Sequence, residues 1–422
     1  MLEVVLCGVG IILGAGIYVL IGTASGMAGN AVWMSFLFGA IIAALTGLSY
    51  AELSSMFPKA DAEHEYTKEA FGKFSSFITG WMVVASGIFA GATVAVGFSK
   101  YFVSLFNTFP IVFVIVAMLV VVGLVMFYGI KQSAWAASLM TLIEGGGLII
   151  VILVGLPLIG TVDYFYSPNG FQGILSAGAL IFFAYIGFEE IVRLAEETKN
   201  PKKVIPKAMI IAIIVSTVLY TLAAISVVGL LPWDKLAASH APMADAVSTV
   251  LGNNGFIVLS VIALFSTFNT VLLSLLSTSR VAFGMGRDRS FPKVLSRIHK
   301  KRRTPWAAIA AISLLAIIFS VAFNMEVIAG VTDFLIFVTF AVINVSVIAL
   351  RYKMPKAKRV FRSPFNIGKF PILPFLGFVT SILLMINLYV ESALYGLLIL
   401  VAGLLAYVVL KPKIRKKGYA RR

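Results

Sequence analysis

Apolar residues in this chain come in long runs, separated by short stretches that carry most of the polar and basic residues. Runs of about eighteen or more apolar residues are long enough to cross the hydrocarbon of a bilayer as a helix. Twelve such spans are predicted, at approximately 4–22, 31–57, 74–106, 110–128, 134–160, 171–193, 205–231, 253–284, 306–325, 327–350, 371–391 and 393–410. The expected fold is an all-α membrane protein, with residues 58–73, 193–207, 280–303 and 351–369 as loops between spans and 411–422 as a basic tail. No basic stretch followed by a small-residue cleavage site opens the chain, so the first span is expected to be retained rather than removed as a signal peptide.

Two spans break the pattern. The first carries Gly14-Ala15-Gly16 among Val, Ile and Leu, and glycine leaves helical geometry without steric cost. The sixth carries Tyr185-Ile186-Gly187-Phe188-Glu189-Glu190, a glycine and two carboxylates inside an apolar run. Non-helical backbone at membrane depth is tolerated only where it faces protein or a water-filled cavity. Gly10-x-x-x-Gly14 and Gly22-x-x-x-Gly26 also fit small-residue helix packing. The pairing with the sixth span favours the other account. Five spans begin at each interruption, so the second set enters the membrane in the opposite orientation. Paired interrupted helices in two inverted halves point to a transporter's midplane site. The halves are expected at 1–160 and 171–352, within a single domain of 1–422, with two additional helices at 371–410.

Composition agrees with the spans and removes other classes. The chain is 60% hydrophobic and 12% charged, with mean hydropathy +1.00, unlike a soluble domain. One cysteine, Cys7, excludes an internal disulfide, and the three histidines (His64, His240, His299) are scattered over separate loops, so no metal site is expected. A phosphate-binding Gly-rich loop is absent. The sequence predicts neither an enzyme nor a bound cofactor.

The net charge of +16 is explained by placement. With the N-terminus inside, every Lys and Arg except Lys100 and Lys235 falls on cytoplasmic stretches, including Lys131 and the residues after 410. This is the positive-inside asymmetry, and it puts both termini in the cytoplasm. The basic loops are expected to meet anionic lipid of the cell (inner) membrane, and nucleic acid is not an expected partner.

At these residues the chain resembles the amino acid–polyamine–organocation superfamily, over nearly its whole length. Gly14-Ala15-Gly16-Ile17-Tyr18 is similar to the first-helix break of that superfamily. Ser49-Tyr50-Ala51-Glu52-Leu53 with Phe57-Pro58 resembles the end of its second helix. Phe183-Ala184-Tyr185-Ile186-Gly187-Phe188, followed by Leu194 to Pro201, resembles the sixth-helix signature of the cationic amino acid transporter branch. Arg280, Gly286 to Pro292 and Arg302-Arg303-Thr304-Pro305 resemble the loop after the eighth helix. The chain departs from relatives at Pro58 to Tyr66, where they carry paired glycines, and at Arg193, where they carry a small residue. The resemblance implies a LeuT-type five-plus-five inverted repeat with two C-terminal helices, and secondary transport of amino acids by alternating access.

The chemistry follows from the breaks. An interruption at Gly14, Ala15 and Gly16 presents backbone N–H groups and a positive dipole end, which suit a substrate carboxylate. An interruption at Tyr185, Ile186 and Gly187 frees carbonyls that suit an ammonium. In the superfamily these breaks hold the substrate backbone, and Phe183 matches an aromatic outer gate. Glu189 follows the break and is a candidate for attracting a cationic side chain or a proton, with Glu190 placed to pair with Arg193. Met82, Ser86 and Gly87 in the third span leave room for a side chain. Glu144 lies mid-membrane, where some proton-coupled relatives carry a lysine, and is the candidate proton carrier. Ser266 and Thr267 fall near the superfamily's sodium position, although hydroxyls in membrane helices commonly bond to their own backbone. Proton symport is the preferred coupling, with exchange of amino acids or polyamines as the alternative. A non-transporting sensor would need a soluble signalling appendage, and a channel would need a continuous polar stripe; neither is evident.

Overall fold

The computed structural model describes residues 1–58, 62–107, 109–129 and 134–418, the side chains of 134–138 and 410–418 excepted. Lys59, Asp61, Lys131, Arg421 and Arg422, assigned above to loops or tail, lie outside the described residues.

The chain is helical almost throughout. In order come α1 (Leu2–Ile12), α2 (Gly16–Ala28), α3 (Val32–Met56), α4 (Ala62–Phe71), α5 (Lys73–Phe106), α6 (Ile111–Tyr128) and α7 (Ala134–Gly155). There follow α8 (Gly170–Ile181), α9 (Pro201–Leu230), α10 (Trp233–Ala238), α11 (Pro242–Arg287), α12 (Trp306–Ala322), α13 (Met325–Lys353), α14 (Ile372–Ile386) and α15 (Val390–Gly418). Among the described residues nine helical stretches are long and apolar enough to cross a membrane, and three shorter apolar helices accompany them: α1, α12 and α14. Leucines and valines stand exposed along α6 and α15, including Val121, Leu124, Leu398 and Leu405. Lipid is the solvent in which such faces are stable.

Three stretches differ in detail from the expected pattern. The stretch 58–73 is not a plain loop, because α4 occupies most of it. Glu63 and Glu65 in its first turn and Lys68 in its last complement the helix dipole. The sixth span does not resume as an α-helix after its break but runs as tight 3-10 backbone over Phe188–Glu196. The last helix does not stop near 410; its backbone continues to Gly418.

The loops rich in Lys and Arg gather at one end of the bundle. Lys353 Nζ donates to the Ala70 carbonyl of α4, Thr304 Oγ1 to Phe127 O at the end of α6, and the Phe291 ring packs edge-on against Trp81 near the start of α5. A buried ion-pair cluster ties this end together. Glu52 on α3 accepts from Arg351 Nε at 2.9 Å and Nη2 at 2.6 Å, and from the Ser363 N–H at 2.9 Å. Arg359 adds a second ion pair at 3.2 Å. The connection from α13 to α14 is thereby fastened to the end of α3.

Candidate functional site

The two interrupted helices meet, and their glycines are the meeting points. The α1–α2 interruption spans Leu13 to Ala15, and α2 starts at Gly16. A Cβ on Gly16 would lie 2.5 Å from Ala184 Cα, so this position admits no side chain without moving backbone. In the sixth span, α8 ends at Ile181, a 3-10 turn covers Phe182–Tyr185, Ile186 is extended, and Gly187 has φ +122°. That φ suits glycine, and a Cβ there would also lie 2.9 Å from the Ile11 carbonyl oxygen. Each break therefore rests on backbone of the other.

Side chains from neighbouring helices hold the freed backbone groups. The Ala15 N–H donates to Thr270 Oγ1 of α11 at 3.1 Å. Tyr220 of α9 places its hydroxyl 2.5 Å from Ile12 O and 3.0 Å from Ala184 O, one carbonyl from each break. Tyr185 donates to Phe36 O on α3 at 3.0 Å. The Gly187 N–H donates to Glu189 Oε2 at 2.9 Å, so this carboxylate folds back on its own break. Thr270 and Tyr220 were not singled out in the sequence.

A cavity of about 60 Å³ lies on the α4 side of the breaks. That is room for roughly four to six waters. Ile186 and Glu189 line it, together with Tyr50, Glu63, Glu190 and Arg193. Ser86 and Gly87 of α5 are in its wall, as the third-span reading expected, whereas Met82 is not. Ser274, Ser277, Thr278, Thr332 and Thr339 also line it, among apolar residues such as Val83, Ala90, Val281, Ile336 and Phe340. Arg193 pairs with Glu190 at 3.0 Å and also reaches Ser277 Oγ of α11. Gly14, Ala15, Gly16, Phe183, Tyr185 and Gly187 do not line the cavity; they are packed into the contact between the breaks or beside it.

Glu144 is buried on α7, and its Oε1 accepts from Asn269 Nδ2 of α11 at 3.2 Å. Its backbone carbonyl accepts from the Tyr18 hydroxyl at 2.7 Å. A Cβ on Gly147 would fall 2.3 Å from that hydroxyl, so the glycines after Glu144 let α2 approach α7. Glu144 is thus tied to both the first break and α11. Ser266 and Thr267 are buried on the same α11, but Thr267 Oγ1 bonds to Ala263 O of its own helix at 2.6 Å. Among the described residues no group of three His, Cys, Asp or Glu is placed to hold a metal ion.

Comparison with known proteins agrees with this arrangement. The chain matches the amino acid permease family over residues 1–408. It is 29% identical to the branched-chain amino acid permease BcaP of Bacillus subtilis (strain 168), over 98% of this chain and 93% of that protein. It is 28% identical to the methylthioribose transporter of the same organism, over 89% and 85% of the two chains. It is 29% identical to the vacuolar cationic amino acid transporter 4 of Arabidopsis thaliana, over 84% of this chain and 63% of that one. Family and relatives are transporters and not enzymes. Matched over residues 1–408, this chain belongs to the amino acid permease family.

Proposed function

We propose that this protein carries amino acids across the cytoplasmic membrane by alternating access, coupled to protons. The observation that carries the reading is the crossing of the two breaks, Gly16 on Ala184 and Gly187 on Ile11. Twelve spans follow if α1 with α2, and α8 with its 3-10 continuation, each count as one interrupted span. In this reading they form a LeuT-type repeat of 1–160 and 171–352, with α14 and α15 outside it. The gathering of basic loops at one end supports placing that end, and both termini, in the cytoplasm.

The substrate carboxylate is assigned to the N–H groups at Gly14, Ala15 and Gly16, where the dipole of α2 is positive. The ammonium is assigned to carbonyls at Tyr185, Ile186 and Gly187, with Phe183 as the outer cover and Glu189 at the cavity side. Parting the two breaks would release the groups that Thr270 and Tyr220 now hold. Glu144 is the proposed proton carrier, because a carboxyl away from water favours its neutral form and Asn269 links it to a second helix. Sodium at Ser266 and Thr267 is less well supported, since Thr267 spends its hydroxyl on its own helix.

The test is uptake of labelled branched-chain and cationic amino acids into proteoliposomes, with an inward proton gradient and no sodium. Accumulation that collapses with a protonophore is expected. Glu144→Gln is expected to lower accumulation at least tenfold while substrate binding survives. Uptake only into vesicles preloaded with amino acid would replace symport with exchange. Uptake in neither format would sink the amino acid assignment.

A further inference from the structure

Asp333 lies on α13, eight residues in from the start of the helix, and has no exposed surface. Among the described residues neither carboxylate oxygen has a hydrogen-bond partner. Elements packed against α13 do carry charged or titratable side chains: Glu52 on α3, Glu63, His64, Glu65, Lys68 and Glu69 on α4, Lys73 and Lys100 on α5, Glu391 on α15. Among the described residues none of them donates a hydrogen bond to Asp333. On its own helix Glu326 is about 10 Å away along the axis and Arg351 about 27 Å, at 1.5 Å per residue. An ionised carboxylate in such a place would be an isolated charge out of water, which proteins avoid by keeping the group neutral. An ionisable residue within the membrane with no structural partner is a functional site by default.

Its position joins it to the moving parts. The preceding residue, Thr332, lines the cavity. One turn further on, the Phe337 ring packs on Phe182, the first residue of the second break, with centroids 4.9 Å apart. Any motion that pulls the second break from α13 disturbs this contact and the packing that keeps water from Asp333.

We propose that Asp333 is a proton-binding site of the transport cycle, additional to Glu144. In this arrangement the carboxyl holds its proton. When α13 and the second break part, the O–H bond breaks, the proton goes to water, and the carboxylate remains until it is reprotonated from the other side. The inference rests on the proton-coupled reading above.

Full-length protein in proteoliposomes provides the test, with three readouts: accumulation driven by a pH gradient, exchange of labelled amino acid at equal pH, and infrared difference spectra between acid and alkaline buffer. Asp333→Asn is expected to keep exchange within about twofold of wild type, to lose at least tenfold of gradient-driven accumulation, and to remove one protonated-carboxyl band. Unchanged accumulation in Asp333→Asn, while wild type is proton-driven, overturns the role of Asp333 alone. Loss of exchange together with accumulation, in protein that elutes as wild type, also overturns it and makes the residue structural or substrate-binding. A wild type that only exchanges sinks the coupling reading and this proposal with it. Should Asp333→Asn fail to fold, Asp333→Glu decides: a shifted pH profile supports the proposal, and an unshifted one overturns it.

Discussion

Glu52 and Asp333 are both buried carboxylates packed against or on α13, and they could hardly be treated more differently. Glu52 is 1% exposed and receives a two-pronged guanidinium, a second arginine and a backbone N–H. Asp333 is 0% exposed and receives no hydrogen bond among the described residues. Burial is the same in both, so burial does not separate the paired carboxylate from the one proposed to carry a proton. Satisfaction does. A carboxylate whose lone pairs are filled by arginine is stable in its charged form and joins three segments of chain. A bare one is stable only while it keeps its proton, and so depends on what the surrounding helices do.

The contrast is sharpened by removing partners. Arg351→Met leaves Glu52 buried without its principal counter-ion, and breaking a buried pair from one side costs about 3–5 kcal/mol. A large fall in melting temperature in detergent is expected, and a negligible fall would mean that Arg359 and Ser363 suffice. Tyr220→Phe is the intermediate case, a neutral donor lost from two buried carbonyls. Its expected cost is about 1–3 kcal/mol, because buried acceptors lose their donor. The same melting measurement checks it, and an effect as large as that of Arg351→Met would erase the distinction between charged and neutral partners. Asp333→Asn should be the smallest, within about 1 kcal/mol of wild type, because no hydrogen bond is lost. A pronounced destabilisation would show that Asp333 has partners in the folded protein after all.

Much of the bundle was legible because lipid imposes a simple rule. Spans read from apolar runs fall close to the helix bounds, as at 74–106 against Lys73–Phe106 and 110–128 against Ile111–Tyr128. The breaks were legible through Gly14-Ala15-Gly16 and Gly187, since few other residues tolerate what the backbone does there. The α4 segment was not, because its ten residues are too short and polar for a hydropathy pattern and it is held by contacts with α5 and α13. Tyr220 and Thr270 were hidden for another reason: their partners lie 208 and 255 residues away, and nothing local marks a hydroxyl that will serve a distant broken helix. Asp333 was readable by the rule that marked Glu144, a charge inside an apolar run, and was passed over in the tenth span. Its lack of any partner, however, is a fact of packing.

The Tyr220 hydroxyl has one proton and faces two carbonyls. While the breaks are crossed, that proton serves Ile12 O and Ala184 O from a point between them. Once the segments separate it must follow one, and the abandoned oxygen becomes an acceptor with no donor of its own. In the transport reading proposed above, one N–H of a substrate ammonium could meet such an oxygen. On that reading, competition for a single phenolic proton would tie the parting of two helices to the arrival of a cation, without any charged residue in the exchange.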